Sequence, residues 1–183
     1  MWRCGKCLPR RGQIAVFNRS YYEEVLVVRV HESLLEKQRI PHELITKDIW
    51  KHRFQDIRAF ERGQSREGFL FCKFFLHVSK REQKRRLLAR IDDPAKNFKF
   101  SAGDIPERVL WPQYDVAYEE MIRNTATAHA PWFVIPADNK LFTRIVVASV
   151  LITRLASLRL SYPKPSKESS RTLASNRRKL LET

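Results

Sequence analysis

Three groups of polar residues stand where apolar runs end, and their types suit one kind of chemistry. Asn18, Arg19 and Ser20 follow directly on Ile14-Ala15-Val16-Phe17. Gln83, Arg86 and Arg90 lie at three- and four-residue steps and so share one stripe of a helix. Lys140 and Arg144, four apart, follow the apolar run Trp132-Phe133-Val134-Ile135. Nine Lys or Arg fall between Lys73 and Lys99, opposed only by Glu82, Asp92 and Asp93. Guanidinium groups in a row suit bidentate contacts to phosphate oxygens. The chemistry this implies is the holding and neutralising of an anion. A solvated helix face is the plain alternative.

The elements that position these groups alternate between strand and helix. Ile14–Phe17 has the continuous apolar character of a parallel strand buried on both faces, with Asn18, Arg19 and Ser20 at its carboxyl end, where ligands of such sheets sit. Glu23 to His31 fits helix or strand equally, since short apolar runs are ambiguous. Residues up to His42 read as a connecting segment. From about Thr46 to Arg62, Ile49, Trp50, Phe54, Ile57 and Phe60 mark one face of a helix stopped by Gly63. Phe69 to Val78 reads as a second buried strand, and Ser79 with Glu82 forms a capping box that opens the next helix. His77 in that strand reads as a hydrogen-bonded core residue. Asp104, Pro106 and Glu107 begin a further helix, with Trp111, Tyr114, Tyr118, Met121 and Ile122 on its apolar face and a break at Pro112. Trp132–Ile135 is a third strand. Asp138 can cap a last helix from about Asn139 to Leu160.

Composition bounds the partners. The chain has 183 residues with 35 Lys and Arg against 20 Asp and Glu, a formal net charge of +15, which points to an anionic partner. No run approaches the length of a membrane span, and the first residues lack the apolar core of a signal peptide. Three cysteines make no disulfide framework, so the cytoplasm is the expected compartment. Cys4 and Cys7 form a C-x-x-C, but a zinc ribbon needs a second pair and the remaining cysteine is Cys72 alone. Chance spacing on a helix accounts for it better.

Three blocks, FNRSYYEEVLVVRVH, KFFLHVSKREQKRRLLARIDDPAKNFKFSAGD and APWFVIPADNKLFTR, closely resemble the polyphosphate kinase 2 family, in particular its branch that phosphorylates nucleoside mono- or diphosphates. The resemblance runs from about Trp2 to Pro163. It implies an α/β fold of the P-loop kinase kind, a three-layer parallel sheet with a helical lid at about residues 79–104. It also implies transfer of a phosphoryl group between polyphosphate and AMP, ADP or ATP with Mg²⁺, and it leaves a homo-oligomer open. On the same resemblance Asn18 and Arg19 fall at the second nucleotide-site motif as catalytic residues, with Asn18 as a weak metal ligand. Lys73, Lys80, Arg86, Arg90, Lys96, Lys99, Arg108, Lys140 and Arg144 fall at positions for polyphosphate or nucleotide. Phe98 stands where the family usually has Trp. Phosphoryl transfer asks a protein mainly for positioning and charge, so no hydroxyl or thiol nucleophile is required.

The departure from the family pattern is equally specific. None of the five glycines forms G-x-x-x-x-G-K, the loop whose backbone N–H groups cradle phosphates. The resemblance places that loop, its strand and a metal-binding aspartate upstream of Trp2. The expectation is a kinase domain over residues 1–162 lacking its amino-terminal strand and Gly-rich loop, inactive alone, followed by a basic, disordered tail over 163–183. A non-catalytic module binding polyanion or nucleic acid is the alternative reading.

Overall fold

The computed structural model describes residues 2–182 and divides into two units, Met1–Arg144 and Ile145–Thr183. The first unit opens with short helical pieces: α1 (Trp2–Gly5), a 3-10 turn at Tyr21–Val25, α2 (Val27–Val30), α3 (Ser33–Lys37) and a second 3-10 turn at His42–Leu44. The long helix α4 (Ile49–Arg66) leads to β1 (Lys73–His77), then α5 (Lys80–Ile91) and a 3-10 segment at Pro94–Lys99. Next come α6 (Asp104–Glu107), a 3-10 turn at Arg108–Leu110, α7 (Trp111–Thr125) and β2 (Trp132–Pro136). Helix α8 (Lys140–Ser157) begins in the first unit, and α9 (Lys167–Leu181) lies in the second.

Periodicity explains which faces are buried. Phe54, Ile57 and Glu61 recur along α4 and are buried, as are Ala117, Met121 and Thr125 at four-residue steps along α7. With Tyr22, Val25 and Leu26 of the first 3-10 turn they make the main core, and Tyr118, Ile122 and Trp132 pack against it. Ser20 sets the start of that turn, its hydroxyl accepting from the Tyr22 N–H. A smaller cluster of Val28, Leu35 and Ile49 sits beside it.

β1 and β2 pair in parallel, Lys73 opposite Trp132 through His77 opposite Pro136. The most deeply buried residue of β1 is its one charged residue. Lys73 is 7% exposed, and its ammonium donates to Glu61 Oε2 (2.8 Å), to the Tyr22 hydroxyl (2.8 Å) and to the Thr125 carbonyl (2.9 Å). Glu61, fully buried, accepts in turn from the hydroxyls of Tyr21 (2.8 Å) and Tyr22 (2.7 Å) through Oε1. Thr125 accepts from the Trp132 indole through Oγ1 (2.9 Å). One network therefore joins the 3-10 turn, α4, β1, α7 and β2. Burial pulls the Lys73 ammonium below its ordinary pKa, against the pull of Glu61. Burial, then the charge of Glu61, pushes the phenols of Tyr21 and Tyr22 up, so both stay neutral donors.

Several expectations need correction. Ile14–Phe17 is not a strand: it is irregular, with Ile14 75% and Val16 91% exposed. A strand needs a neighbour to take its backbone groups, and among the described residues the sheet has two strands, not the larger parallel layer expected. The strand expected over Phe69–Val78 is reduced to Lys73–His77, and its far end is open, with Leu76 and His77 exposed. His77 is accordingly no core residue; it stacks on Phe75 at 5.5 Å. The connecting segment before His42 contains α3. Residues 167–181, read as disordered, form α9 with Ser166 as its cap, Glu168 in the first turn and Arg178 and Lys179 in the last, an order that suits the helix dipole. The break expected at Pro112 falls earlier: the 3-10 turn ends at Leu110, Trp111 has helical angles, and Pro112 sits in the first turn of α7, where its missing N–H costs nothing.

Removing one partner of the buried pair leaves the other charge uncompensated. Glu61→Gln and Lys73→Met should each destabilise the protein by about 3–5 kcal/mol. The double variant should be less destabilised than the sum by at least about 1 kcal/mol, read from urea unfolding. Strict additivity would show that the network is not a unit.

Candidate functional site

Two helices start where the two strands end. β1 runs into Ser79, whose hydroxyl accepts from the Glu82 N–H (3.1 Å) as the first cap of α5. β2 runs into Asp138 and Asn139, and Asn139 Oδ1 accepts from the N–H groups of Leu141 (3.0 Å) and Phe142 (3.1 Å) to cap α8. Asp138 was the expected cap of α8. It is used differently: Oδ1 accepts from the Ser79 N–H at 2.7 Å and ties the two strand ends together. That backbone donor, followed by the Ser79 side chain, holds the Asp138 carboxyl below its ordinary pKa. Two helix N-termini, each partly capped by its own Ser79 or Asn139 side chain, thus open on the carboxyl edge of a parallel sheet.

The basic residues around this edge divide by what they already hold. Arg86 donates to Glu82 Oε1 (2.8 Å) and to the carbonyls of Ala137 (2.8 Å) and Asp138 (3.1 Å), clasping α5 to the end of β2. Arg108 donates to the Lys80 carbonyl at 3.3 Å and to Gln83 Oε1, bringing the return segment back to the first turn of α5. Arg90 faces Asp104 at 3.9 Å, Lys96 pairs with Asp93, and Lys99 lies over the Phe98 ring at 5.2 Å. The expected stripe of Gln83, Arg86 and Arg90 is there, but its members hold α5 to the segments around it. Lys80, Lys140 and Arg144 are exposed, and among the described residues no hydrogen bond or ion pair engages their charged ends.

Lys80 and Lys140 are the first residues of α5 and α8, and α8 has no acid in its first turn. A cation there opposes the helix dipole, and the carboxylates at the same edge, Glu82 and Asp138, are already engaged by Arg85, Arg86 and the Ser79 N–H. Asn18 is exposed. Arg19, also exposed, has φ 64°, and its guanidinium is held by Glu23 at 3.1 and 2.7 Å. That pairing, with the phenols of Tyr114 and Tyr118 nearby, raises its pKa. Among the described residues no hydrogen bond or ion pair joins Asn18 or Arg19 to residues 79–104. Lys73 is removed from this surface altogether, its three N–H groups committed inside the core.

Sequence reasoning missed Glu61 and the Ser79–Asp138 tie. Glu61 was detectable, for it lies four residues after Ile57 on the apolar stripe of α4. The tie links residues 59 apart and left no local signal. Cys4 and Cys7 are free thiols, the first half-buried and the second exposed. Among the described residues no three His, Cys, Asp or Glu side chains gather to hold a metal ion. The neutral amide oxygen of Asn18 does not make a site for Mg²⁺, which is held by carboxylates together with phosphates.

The family model described as Polyphosphate kinase 2 matches residues 1–162. The chain is 44% identical over its whole length to the ADP-polyphosphate phosphotransferase of Rhodopseudomonas palustris, spanning 63% of that protein. It is 42% identical over 93% of its length to the AMP/ADP-polyphosphate phosphotransferase of Meiothermus ruber, spanning 60% of it. The crystal structure of polyphosphate kinase 2 from Arthrobacter aurescens superposes with a TM-score of 0.83 at 37% identity, covering 96% of this chain and 59% of that one. The chain therefore spans about three-fifths of the relatives it matches.

The Glu82 carboxylate is held down to a pKa of about 2 by Arg85, then Arg86. With the folded value depressed, its contribution is present above the ordinary carboxylate pKa and is lost as pH falls toward about 2. Carboxyl NMR should show Glu82 still ionised near pH 3. Arg85→Ala should move its midpoint back toward the ordinary range.

Proposed function

The chain belongs to the polyphosphate kinase 2 family, and from that premise we propose that it supplies the lid and the phosphate-binding edge of a polyphosphate:AMP/ADP phosphotransferase of the P-loop kinase kind, acting in the cytoplasm. One observation carries this reading. Two helix N-termini, each beginning with an exposed lysine, open at the carboxyl edge of the parallel pair β1–β2, next to the basic residues of α5. Such an edge favours an anion with several phosphates, since each N–H group and each lysine gains from the same charge.

In this reading Lys80, Lys140 and Arg144 neutralise the phosphate oxygens, with Lys96, Lys99 and Arg90 following along the lid. Arg86 and Arg108 position the lid through the carbonyls they hold, and Lys73 fixes the strand. Arg19 exchanges Glu23 for the charge that develops on the transferred group, and the Asn18 amide orients it. Charge placed where it grows in the transition state is the main contribution such a site makes. The residues here do not form a magnesium site of their own, and no step is assigned to the ion. A nucleic-acid-binding module, the other reading of the net charge, has no support in the relatives, whose names are those of phosphotransferases.

Binding and turnover are separable tests. Polyphosphate should bind the purified chain with an affinity that falls steeply with salt, as counterion release requires. Lys80→Glu with Lys140→Glu should weaken binding at least about tenfold and lower the salt slope by about 2. Lys167→Glu with Arg171→Glu should cost less, and equal losses would remove the edge from the reading. For turnover, the chain with ADP, polyphosphate and Mg²⁺ should form ATP at background. No loop of N–H groups cradles the phosphates, and losing even one such donor typically costs about 2.7–4 kcal/mol in the barrier. ATP formation abolished by Arg19→Ala would show that the chain is competent as it stands.

A further inference from the structure

Among the described residues the last helix gathers cations that hold no partner. Over residues 167–181 Lys167, Arg171, Arg177, Arg178 and Lys179 stand against Glu168 alone. All five are exposed, and among the described residues no hydrogen bond or ion pair engages their charged ends. In and after α5, by contrast, Arg85, Arg86, Arg90 and Lys96 each face a carboxylate. Lys167, Arg171 and Arg178 stand four and then seven residues apart, so they share one stripe of α9 about 17 Å long, with Ala174 between the last two. Leu173 and Leu180 lie on another stripe.

Like charges four residues apart on a helix repel, and Arg177, Arg178 and Lys179 follow in direct sequence. A linear polyanion laid along the stripe removes that repulsion and releases the counterions condensed on its own charges. Helix α9 lies beyond residues 1–162, the part that the family model matches. Residues 158–166, with Pro163 and Pro165, join it to α8 and contain neither helix nor strand.

We propose that α9 is a second polyphosphate-binding element, which makes this chain prefer long polyphosphate to short. The proposal rests on the reading of the β1–β2 edge as a phosphate site. Charge complementarity names the occupant. A row of three cations with no large apolar residue among them fits a linear anion of evenly spaced charge, whereas a lipid surface would engage Leu173 and Leu180. When one polypeptide carries two sites, occupying the second becomes intramolecular, and only an anion long enough for both gains from it. Tripolyphosphate, shorter than the stripe itself, takes one site at a time.

The test compares tripolyphosphate with long-chain polyphosphate, binding to the purified full chain by calorimetry, with concentrations counted in phosphates. Lys167→Gln with Arg171→Gln and Arg178→Gln should weaken long-chain binding about fivefold, less than the edge pair of variants does, and lower its salt slope by about 2. The same triple variant should leave tripolyphosphate binding within about twofold. Glutamine is a good helix former and the repulsion is gone, so circular dichroism should show α9 retained. Loss of the edge reading shows as tripolyphosphate binding that ignores Lys80→Glu with Lys140→Glu. Loss of the α9 proposal shows as a triple variant that changes both anions equally, or neither. Long-chain affinity that falls as far with Leu173→Ser and Leu180→Ser assigns docking to the apolar stripe and overturns the proposal too.

Discussion

An ammonium buried beneath a two-stranded sheet is the constraint on which the first unit depends. Taking a lysine out of water is costly unless an opposite charge and further acceptors surround it. Here the acceptors come from three different elements: Glu61 of α4, Tyr22 of the 3-10 turn and the Thr125 carbonyl at the end of α7, while the Trp132 indole of β2 donates to the Thr125 hydroxyl. Apolar packing of Phe54, Ile57, Ala117 and Met121 tolerates many arrangements of comparable area, whereas this network accepts one register. The strand is set by its polar residue, and the apolar residues fill in around it.

The same logic distinguishes the two kinds of arginine at the sheet edge. Charge counting treats every guanidinium as available to a ligand. Arg86 instead binds the carbonyls that follow the end of β2, and Arg108 adds a donor to the carbonyl of the first residue of α5, so both behave as braces. Lys80 and Lys140 are shorter in reach of any acceptor and stay solvated at the helix starts. A basic stretch is thus partly scaffold and partly surface, and only the second part is open to an incoming anion.

How much of this was legible in the sequence follows from range. Local signals were read well: the Ser79 cap of α5 (one half of the expected box), the α4 stripe, the Tyr118, Met121 and Ile122 part of the α7 stripe and the Trp132–Ile135 strand all depend on residues within one or two turns. The family was legible too, from three blocks. What escaped depends on partners far away in the chain. Ile14–Phe17 has strand-forming residues but no ladder to join, and side-chain character alone cannot supply one. Lys73 looked like a ligand for phosphate because its carboxylate partner lies twelve residues back on another element. Asp138 caps nothing in α8 because the Ser79 N–H offers it a better-placed donor across the sheet.

The clasp formed by Arg86 also divides the segment from Ser79 to Asp104 in two. The first turns of α5 are anchored at the sheet edge, by Ser79 to Asp138 and by Arg86 to Ala137 and Asp138. Beyond Arg90, Asn97 donates to the carbonyls of Arg90 and Ile91, Asp93 caps its own 3-10 segment, and the longer tie, Arg90 to Asp104 at 3.9 Å, is an exposed and weak pair. A swing of residues 94–104 would therefore pivot near Ile91 to Asp93 and release the Arg90–Asp104 pair, carrying them as a flap while the base of α5 stays still. Lys96 and Lys99 would travel with the flap, and Lys80 would not. The charges that receive a ligand and the charges that close over it would then belong to different moving parts.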